Sequence, residues 1–236
     1  DGFDWLHHHE LAHEWWGNLV TAPDWNDFWI HEGFGSYMQA LYIEDILGKE
    51  AYRARVDRYV ASFRNEVPVA PRESHTTDEM YFSTRGSNPD IYSKGAAILH
   101  TLRYAMGDSL FRVALRRFAY PTAASERATD GSQAHFATTD DLLALVNQLT
   151  GDDYSDFFEV YLRTAALPRL IEERDGSRLM LRWHDEAAPG FSLPIEVAVD
   201  GDIVRVEMPG GRGELALPSP DADVKVDPNG WVMRAR

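Results

Sequence analysis

The hydrophobic pattern of the chain changes period at Pro168, and this change limits the possible folds more than any other feature. Before it, apolar residues recur at helical spacing, most clearly over residues 26–47. After it, apolar and polar residues alternate, as they do over residues 179–183. We therefore predict an α+β chain, with a mainly helical part over residues 1–167 and a small β-sandwich over residues 168–236.

The remaining elements follow from the same two periods and from turn residues. We predict further helices over residues 51–63, 91–106, 109–118, 139–149 and 154–163. The polar stretch between residues 73 and 90 is predicted to be a long excursion with a short helical turn near Glu79. Strands are predicted around residues 179–183, 195–199, 204–208, 215–217 and 224–226.

Composition excludes several classes of partner and site. The chain has 236 residues and no cysteine, so disulfides and thiolate metal sites are ruled out, and histidine and carboxylate are the strong metal ligands left. A net charge of −15 argues against nucleic acid as a partner, because phosphate binding needs clustered Lys and Arg. No apolar run approaches the roughly 20 residues of a membrane segment.

The chain opens on Asp1 rather than Met, and its most informative motif begins within its first ten residues. We expect it to be a piece of a longer protein that has a missing N-terminal region. The piece itself reads as soluble, with no signal peptide at its start. Its compartment stays open: cytoplasmic, or periplasmic or secreted if the missing N-terminus carries a signal peptide.

A HExxH motif at His9, Glu10 and His13 predicts a metal site on a helix. Residues four apart lie on the same helical face, so His9 and His13 can bind one ion. Glu10 points about 100° away, which keeps it out of the ligand set and beside the reacting water, where a general base belongs. His7 and His8 are rotated by about 200° and 100° from His9, and we do not expect them to bind the ion.

A catalytic zinc needs a third protein ligand, and Glu32 is the strongest candidate. Gly33, Gly35 and Ser36 follow it and would allow two helices to pack closely, although glycine costs roughly 0.5–1 kcal/mol in a helix interior. Three rivals for the third ligand remain at this point: Asp24, Asp27 and His31.

Three linked stretches resemble a known family. Residues 9–20 read His-Glu-Leu-Ala-His-Glu-Trp-Trp-Gly-Asn-Leu-Val, residues 25–34 read Trp-Asn-Asp-Phe-Trp-Ile-His-Glu-Gly-Phe, and residues 92–95 read Tyr-Ser-Lys-Gly. The first two closely resemble the zinc-binding core of the aminopeptidase N family, which includes leukotriene hydrolase and related gluzincins, and the third resembles the tyrosine motif of that family. The resemblance extends to about Leu170 and implies a thermolysin-like half-domain followed by a β-sandwich.

The resemblance implies a zinc aminopeptidase acting on peptides. His9, His13 and Glu32 would bind one Zn²⁺ ion, and Glu10 would activate the attacking water and carry its proton to the departing amine. Tyr92 would donate a hydrogen bond to the oxyanion, a role that suits a phenol because it is neutral at pH 7.

One departure from the family limits this expectation. Members bind the free amino group of the substrate through a Gly-x-Met-Glu-Asn segment on a strand upstream of the zinc helix, and this chain lacks it. We therefore expect the parent protein to be an aminopeptidase, while the 236-residue piece binds zinc yet cleaves peptides poorly. The alternatives are a gluzincin endopeptidase, an epoxide hydrolase of the same family, or a non-catalytic zinc-stabilised interaction module.

Four weaker candidates surround this set. Asp27 would either hold the second ring nitrogen of a ligand histidine or cap a helix beginning near Asn26. His31 is expected at the surface or next to the ligands. Arg85 and Lys94 are candidates for binding a substrate carboxylate, but their spacing does not show it.

Overall fold

The computed structural model describes residues 3–184, 186 and 188–235, and in it the strands longer than two residues follow the helices. The α-helices are α1 (Trp5–Ala12), α2 (Trp29–Leu47), α3 (Lys49–Ser62), α4 (Thr77–Tyr81), α5 (Asp90–Met106), α6 (Asp108–Ala119), α7 (Thr139–Thr150) and α8 (Ser155–Phe158). A π-helical turn, Glu159–Arg163, continues α8. The order confirms the predicted α+β class.

Helix α2 lies at the centre of the helical part. It packs against α1, α3 and, most extensively, α5. Large side chains such as Trp29, Phe34 and Tyr37 are fully buried on it. Gly33 and Gly95 let α2 and α5 approach closely, since a Cβ atom on Gly33 would lie 3.0 Å from the Cα of Gly95. The close approach fixes α5 directly against the helix that carries Glu32.

Two helix ends agree with the turn and capping residues of the sequence. Gly48, at φ 86°, ends α2 where the sequence predicted a stop. Thr138 and Asp141 form a capping box at the start of α7. The predicted start of α2 near residue 26 was three residues early, because a 3-10 turn, Trp25–Asp27, comes first.

Two three-stranded antiparallel sheets lie in the region for which the sequence predicts a β-sandwich. The strands are β1 (Val20–Thr21), β2 (Phe82–Ser83), β3 (Gly86–Ser87), β4 (His135–Phe136), β5 (Arg169–Asp175), β6 (Arg178–His184), β7 (Ile195–Val199), β8 (Asp202–Val206), β9 (Arg212–Ala216) and β10 (Val224–Val226). One sheet has the order β5-β6-β9 and the other β10-β7-β8. The predicted alternation is visible in β6, where Leu179, Leu181 and Trp183 are buried.

Four very short strands lie within the helical part. β2 and β3 form a hairpin after α4, and β1 pairs in parallel with β4. Each has two residues, which is too short for an alternating pattern to be detected in the sequence.

The helical part and the two three-stranded sheets share one hydrophobic core. Polar contacts join them as well: the Tyr161 hydroxyl donates to the carbonyl of Met233 at 2.7 Å, and Arg53 donates to the carbonyls of Asn229 and Gly230. Within the described residues, none of the helices combines the length and apolar character needed to cross a bilayer.

Candidate metal centre

Helices α1 and α2 bring His9, His13 and Glu32 together. The Nε2 atom of His9 lies 3.1 Å from Oε2 of Glu32, and Nε2 of His13 lies 3.7 Å from the same oxygen. One ligand atom from each residue lies within 4.8 Å of the others. Tetrahedral ligands about 2.1 Å from a zinc ion are about 3.4 Å apart, so this donor set fits a zinc ion.

The local fold of α1 explains how the two imidazoles converge. Asp4 caps the helix by accepting a hydrogen bond from the backbone N–H of His7 at 2.9 Å. His13 is the C-cap residue of α1 and keeps helical backbone angles, at φ −64° and ψ −14°. Its side chain therefore lies one helical turn from that of His9. The two rings lie 4.7 Å apart between centroids.

A backbone carbonyl orients His13. Its Nδ1 atom lies 2.9 Å from the carbonyl oxygen of Trp16, which can only accept a hydrogen bond. Nδ1 therefore carries the proton, and the lone pair of Nε2 is left free for a metal. Sequence spacing could not reveal this contact, because the acceptor is a backbone atom.

The absence of a side chain at Gly35 leaves room for the imidazoles of His9 and His13. A Cβ atom on Gly35 would lie 3.1 Å from Cε1 of His9 and 3.5 Å from Cε1 of His13. Gly33, by contrast, faces α5 rather than α1. The two glycines near Glu32 therefore serve two different contacts, one at the imidazoles and one between helices.

Glu10 and Tyr92 are not part of this donor set. Glu10 is an exposed residue of α1. Tyr92 is half-buried in the first turn of α5, with its ring 5.9 Å from the ring of His9. Burial and the negative charge of Glu32 raise the pKa of Tyr92, so its phenol keeps its proton at neutral pH.

Tyr81, which the sequence did not single out, also contacts the donor set. Its hydroxyl donates a hydrogen bond to Oε1 of Glu32 at 3.2 Å. Burial, a hydrogen bond with Tyr92 and the charge of Glu32 raise the pKa of Tyr81. The residue belongs to the five-residue helix α4 inside a polar stretch, and no motif marks it.

The rivals for the third ligand bind other groups. Asp24 accepts hydrogen bonds from the hydroxyl of Ser74 at 2.5 Å and from a backbone N–H. Asp27 is buried and accepts from the backbone N–H of Thr139 at 2.8 Å, so it holds the start of α7 rather than a histidine ring or its own helix. His31 accepts from the backbone N–H of Ala22 at 2.8 Å.

The cationic candidates also point elsewhere. Arg85 is exposed and pairs with Glu66 at 2.7 Å. Lys94 is fully buried and donates to the carbonyl of Ala165 at 2.6 Å. Burial lowers the pKa of Lys94 to about 8. Neither side chain is placed to meet a substrate carboxylate at the donor set.

Similarity to known proteins agrees with this geometry. The chain is 27% identical over 196 residues to Aminopeptidase M1-B of Oryza sativa subsp. japonica, covering 79% of this chain and 20% of that protein. Its fold is similar to Legionella pneumophila aminopeptidase A, solved in complex with aspartic acid, with a TM-score of 0.61 at 18% identity over 89% of this chain and 24% of that one.

A second solved structure is closer in sequence. A variant of the M1 zinc metallopeptidase of Deinococcus radiodurans, bound to a Tyr-Ser-Ala substrate, has a TM-score of 0.55 and 27% identity over 71% of this chain and 34% of that chain. The chain spans about a fifth of the length of the curated relative from rice.

The family assignment rests on a match that covers most of the helical part. Residues 6–161 match the peptidase family M1 domain. This range includes α1, α2 and α5, which carry the donor set and Tyr92. The chain therefore belongs to peptidase family M1.

Proposed function

We propose that this chain forms the zinc-binding part of an aminopeptidase. One observation carries the proposal: His9, His13 and Glu32 place their ligand atoms within 4.8 Å of one another, with Glu10 on the same short helix and Tyr92 beside them. Two imidazoles and one carboxylate are the protein ligands of catalytic zinc sites in metallopeptidases such as thermolysin.

Zinc, when bound, would lower the pKa of a water molecule and polarise the carbonyl of the substrate. Glu10 lies outside the ligand set and is exposed, so its carboxylate is free to take a proton from water and to pass it to the departing amine. Tyr92 keeps its proton and can donate it in a hydrogen bond to the oxygen on which negative charge develops.

The preference for amino-terminal residues is supported by the relatives. The rice relative that matches over 79% of the chain is named an aminopeptidase, and a variant of the Deinococcus radiodurans enzyme was solved with a tripeptide. We propose a peptide with a free amino group as the substrate. The missing N-terminal region would supply the strand that binds that amino group, so the chain alone would cleave weakly.

The substitution Glu10→Gln tests the enzymatic role in the longer protein. Loss of a general base lowers rates by about 100-fold to 10,000-fold, and the neutral amide should leave the zinc content unchanged. Hydrolysis of amino-acid anilides and zinc content are measured together. The matched control is Glu14→Gln, which changes an exposed carboxylate just after the same helix and should retain activity.

Two results would contradict the proposal. Activity of Glu10→Gln within a few-fold of the unsubstituted protein would exclude Glu10 as the base. A longer protein that binds zinc and hydrolyses nothing, whether or not Glu10 is present, would point to a non-catalytic interaction module instead.

Peptides with free and acetylated amino groups test the substrate class. An aminopeptidase should cleave only the free form, whereas an endopeptidase of the same family should cleave both. Epoxide substrates provide the third comparison, since their hydrolysis without peptide cleavage would indicate an epoxide hydrolase.

A further inference from the structure

The two oxygens of the Glu32 carboxylate have different surroundings. Oε2 faces the imidazoles, at 3.1 Å from His9 and 3.7 Å from His13. Oε1 faces away from them and accepts the hydrogen bond of Tyr81 at 3.2 Å. The residue is 7% exposed, so water has little access to compete for either oxygen.

A carboxylate ligand can turn about its last carbon–carbon bond and bind a metal through either oxygen or both. Any group that holds one oxygen fixes this rotation and decides which oxygen the metal meets. We propose that Tyr81 is a positioning residue of the metal centre: by holding Oε1 it presents Oε2 to the ion. This inference rests on the zinc site proposed above.

The capping and burial of helix α4 hold Tyr81 in place. Helix α4 begins with a capping box between Thr76 and Glu79, and the backbone N–H of Thr76 donates to the Glu79 carboxylate at 2.8 Å. Met80, which precedes Tyr81, is 1% exposed and anchors the helix in the core. The polar stretch between α3 and α5 therefore contains one well-fixed element.

Neighbouring aromatic rings fix the direction of the phenol. The ring of Tyr81 meets Trp25 at 6.1 Å and Phe28 at 6.0 Å, both close to edge-on. The centroid of the Tyr92 ring, on α5, lies 6.4 Å from that of Tyr81. The hydroxyl therefore reaches Oε1 from a ring that packing has already oriented.

Zinc affinity of this chain measures the effect directly. In competition with a chromogenic chelator, Tyr81→Phe should weaken zinc binding by about 10-fold to 100-fold, the usual range when a hydrogen bond to a metal ligand is lost. The matched control is Tyr42→Phe, which removes an exposed hydroxyl from the same helix as Glu32 and should leave affinity unchanged. Affinity of Tyr81→Phe within about threefold of the unsubstituted chain would overturn the inference.

A double-mutant cycle separates positioning from a general effect on folding. In a Glu32→Ala background the oxygen that Tyr81 holds is absent, so Tyr81→Phe should cost no further affinity. A loss of zinc affinity that arises from a change in the fold would be the same with Glu32 present and in the Glu32→Ala background. It would therefore cancel when the two effects of Tyr81→Phe are compared. An equal loss in both backgrounds would show that Tyr81 acts only through the fold, and the inference would fail.

The proposed function and this inference fail in distinguishable ways. If His9→Ala leaves zinc affinity unchanged, the proposed site is wrong. If His9→Ala abolishes binding while Tyr81→Phe has no effect, the site is right and only the role of Tyr81 is wrong.

Discussion

Single atoms decide which side chains can bind a metal here. Nδ1 of His13 is occupied by the Trp16 carbonyl, and Oε1 of Glu32 by Tyr81, so Nε2 and Oε2 are the atoms that remain. The spacing of His9 and His13 predicts their shared face because it depends only on the helix period. Tyr81 could not be predicted, because its contact with Glu32 spans 49 residues of chain.

Substitution of Gly35, near Glu32, should affect zinc affinity and the stability of the apoprotein differently. We expect Gly35→Ala to weaken zinc affinity by about 10-fold, since its Cβ atom would press on His9 at 3.1 Å. Alanine is favoured over glycine in a helix by about 0.5–1 kcal/mol, so the apoprotein should be no less stable. Zinc titration and urea unfolding of the apoprotein measure the two effects.

Gly33→Ala is the matched control for that prediction. Its Cβ atom would meet backbone atoms of α5, at 3.0 Å from Gly95 and 3.1 Å from the carbonyl of Ile91, so the fold should lose stability. The assignment of the two glycines would be wrong if Gly35→Ala destabilised the apoprotein as much as Gly33→Ala does.

At the level of elements, the sequence predicts helix ends that depend on a particular turn or capping residue. Gly48 has the positive φ that ends α2, and Thr138 caps α7. Strand β5 was not among the predicted strands, because most of its residues are exposed and do not alternate. The π-helical turn after α8 also has no sequence signal, since its residues are ordinary helix formers.

Helix α5 provides a prediction of pH dependence through His100. Its Nδ1 atom lies 2.6 Å from the hydroxyl of Tyr52, and Nε2 lies 3.2 Å from the carbonyl of Gly230. Burial, together with the charge of Arg53, lowers the pKa of His100 from 6.5 to about 3. The imidazole therefore stays neutral in the folded protein while the unfolded chain takes up a proton below pH 6.5.

This difference in bound protons sets the direction in which stability changes with pH. The unfolded state binds more protons between pH 6.5 and about 3, so the free energy of unfolding falls as the pH falls through this window. Between about pH 7.5 and about pH 5.5 His100 should contribute a loss of about 1 kcal/mol. Urea unfolding of the natural chain and of His100→Gln at both pH values measures it, and parallel pH dependence in the two proteins would exclude this role.

At the level of the whole molecule, the chain has the proposed donor set and spans only part of the length of its relatives. It covers 20% of the rice aminopeptidase and 24% of the Legionella enzyme. Apolar residues on the outer side of α1 are exposed, with Leu6 at 70% and Leu11 at 49%. The class of fold could be predicted from the two periods, whereas the spacing of residues in the sequence did not identify the groups that bind a substrate.

We predict that the 236-residue chain binds zinc but hydrolyses amino-acid anilides poorly. A longer protein that includes the N-terminal region of its relatives should have a kcat/KM at least about 100-fold higher, because binding of the amino group positions the scissile bond. Both proteins are assayed at equal zinc occupancy. Equal activity would show that the upstream strand is dispensable.

Glu32 lies on the buried helix α2, whereas His9 and His13 lie on a short helix at the outside of the described part of the chain. A metal held by all three would close the loop between His13 and Glu32 and tie α1 to the core. The ion would bind the folded chain and not the unfolded one, so its binding free energy would add to the stability of the fold. Removal of the ion by a chelator would then weaken the attachment of α1 to α2 and lower the stability of the folded chain.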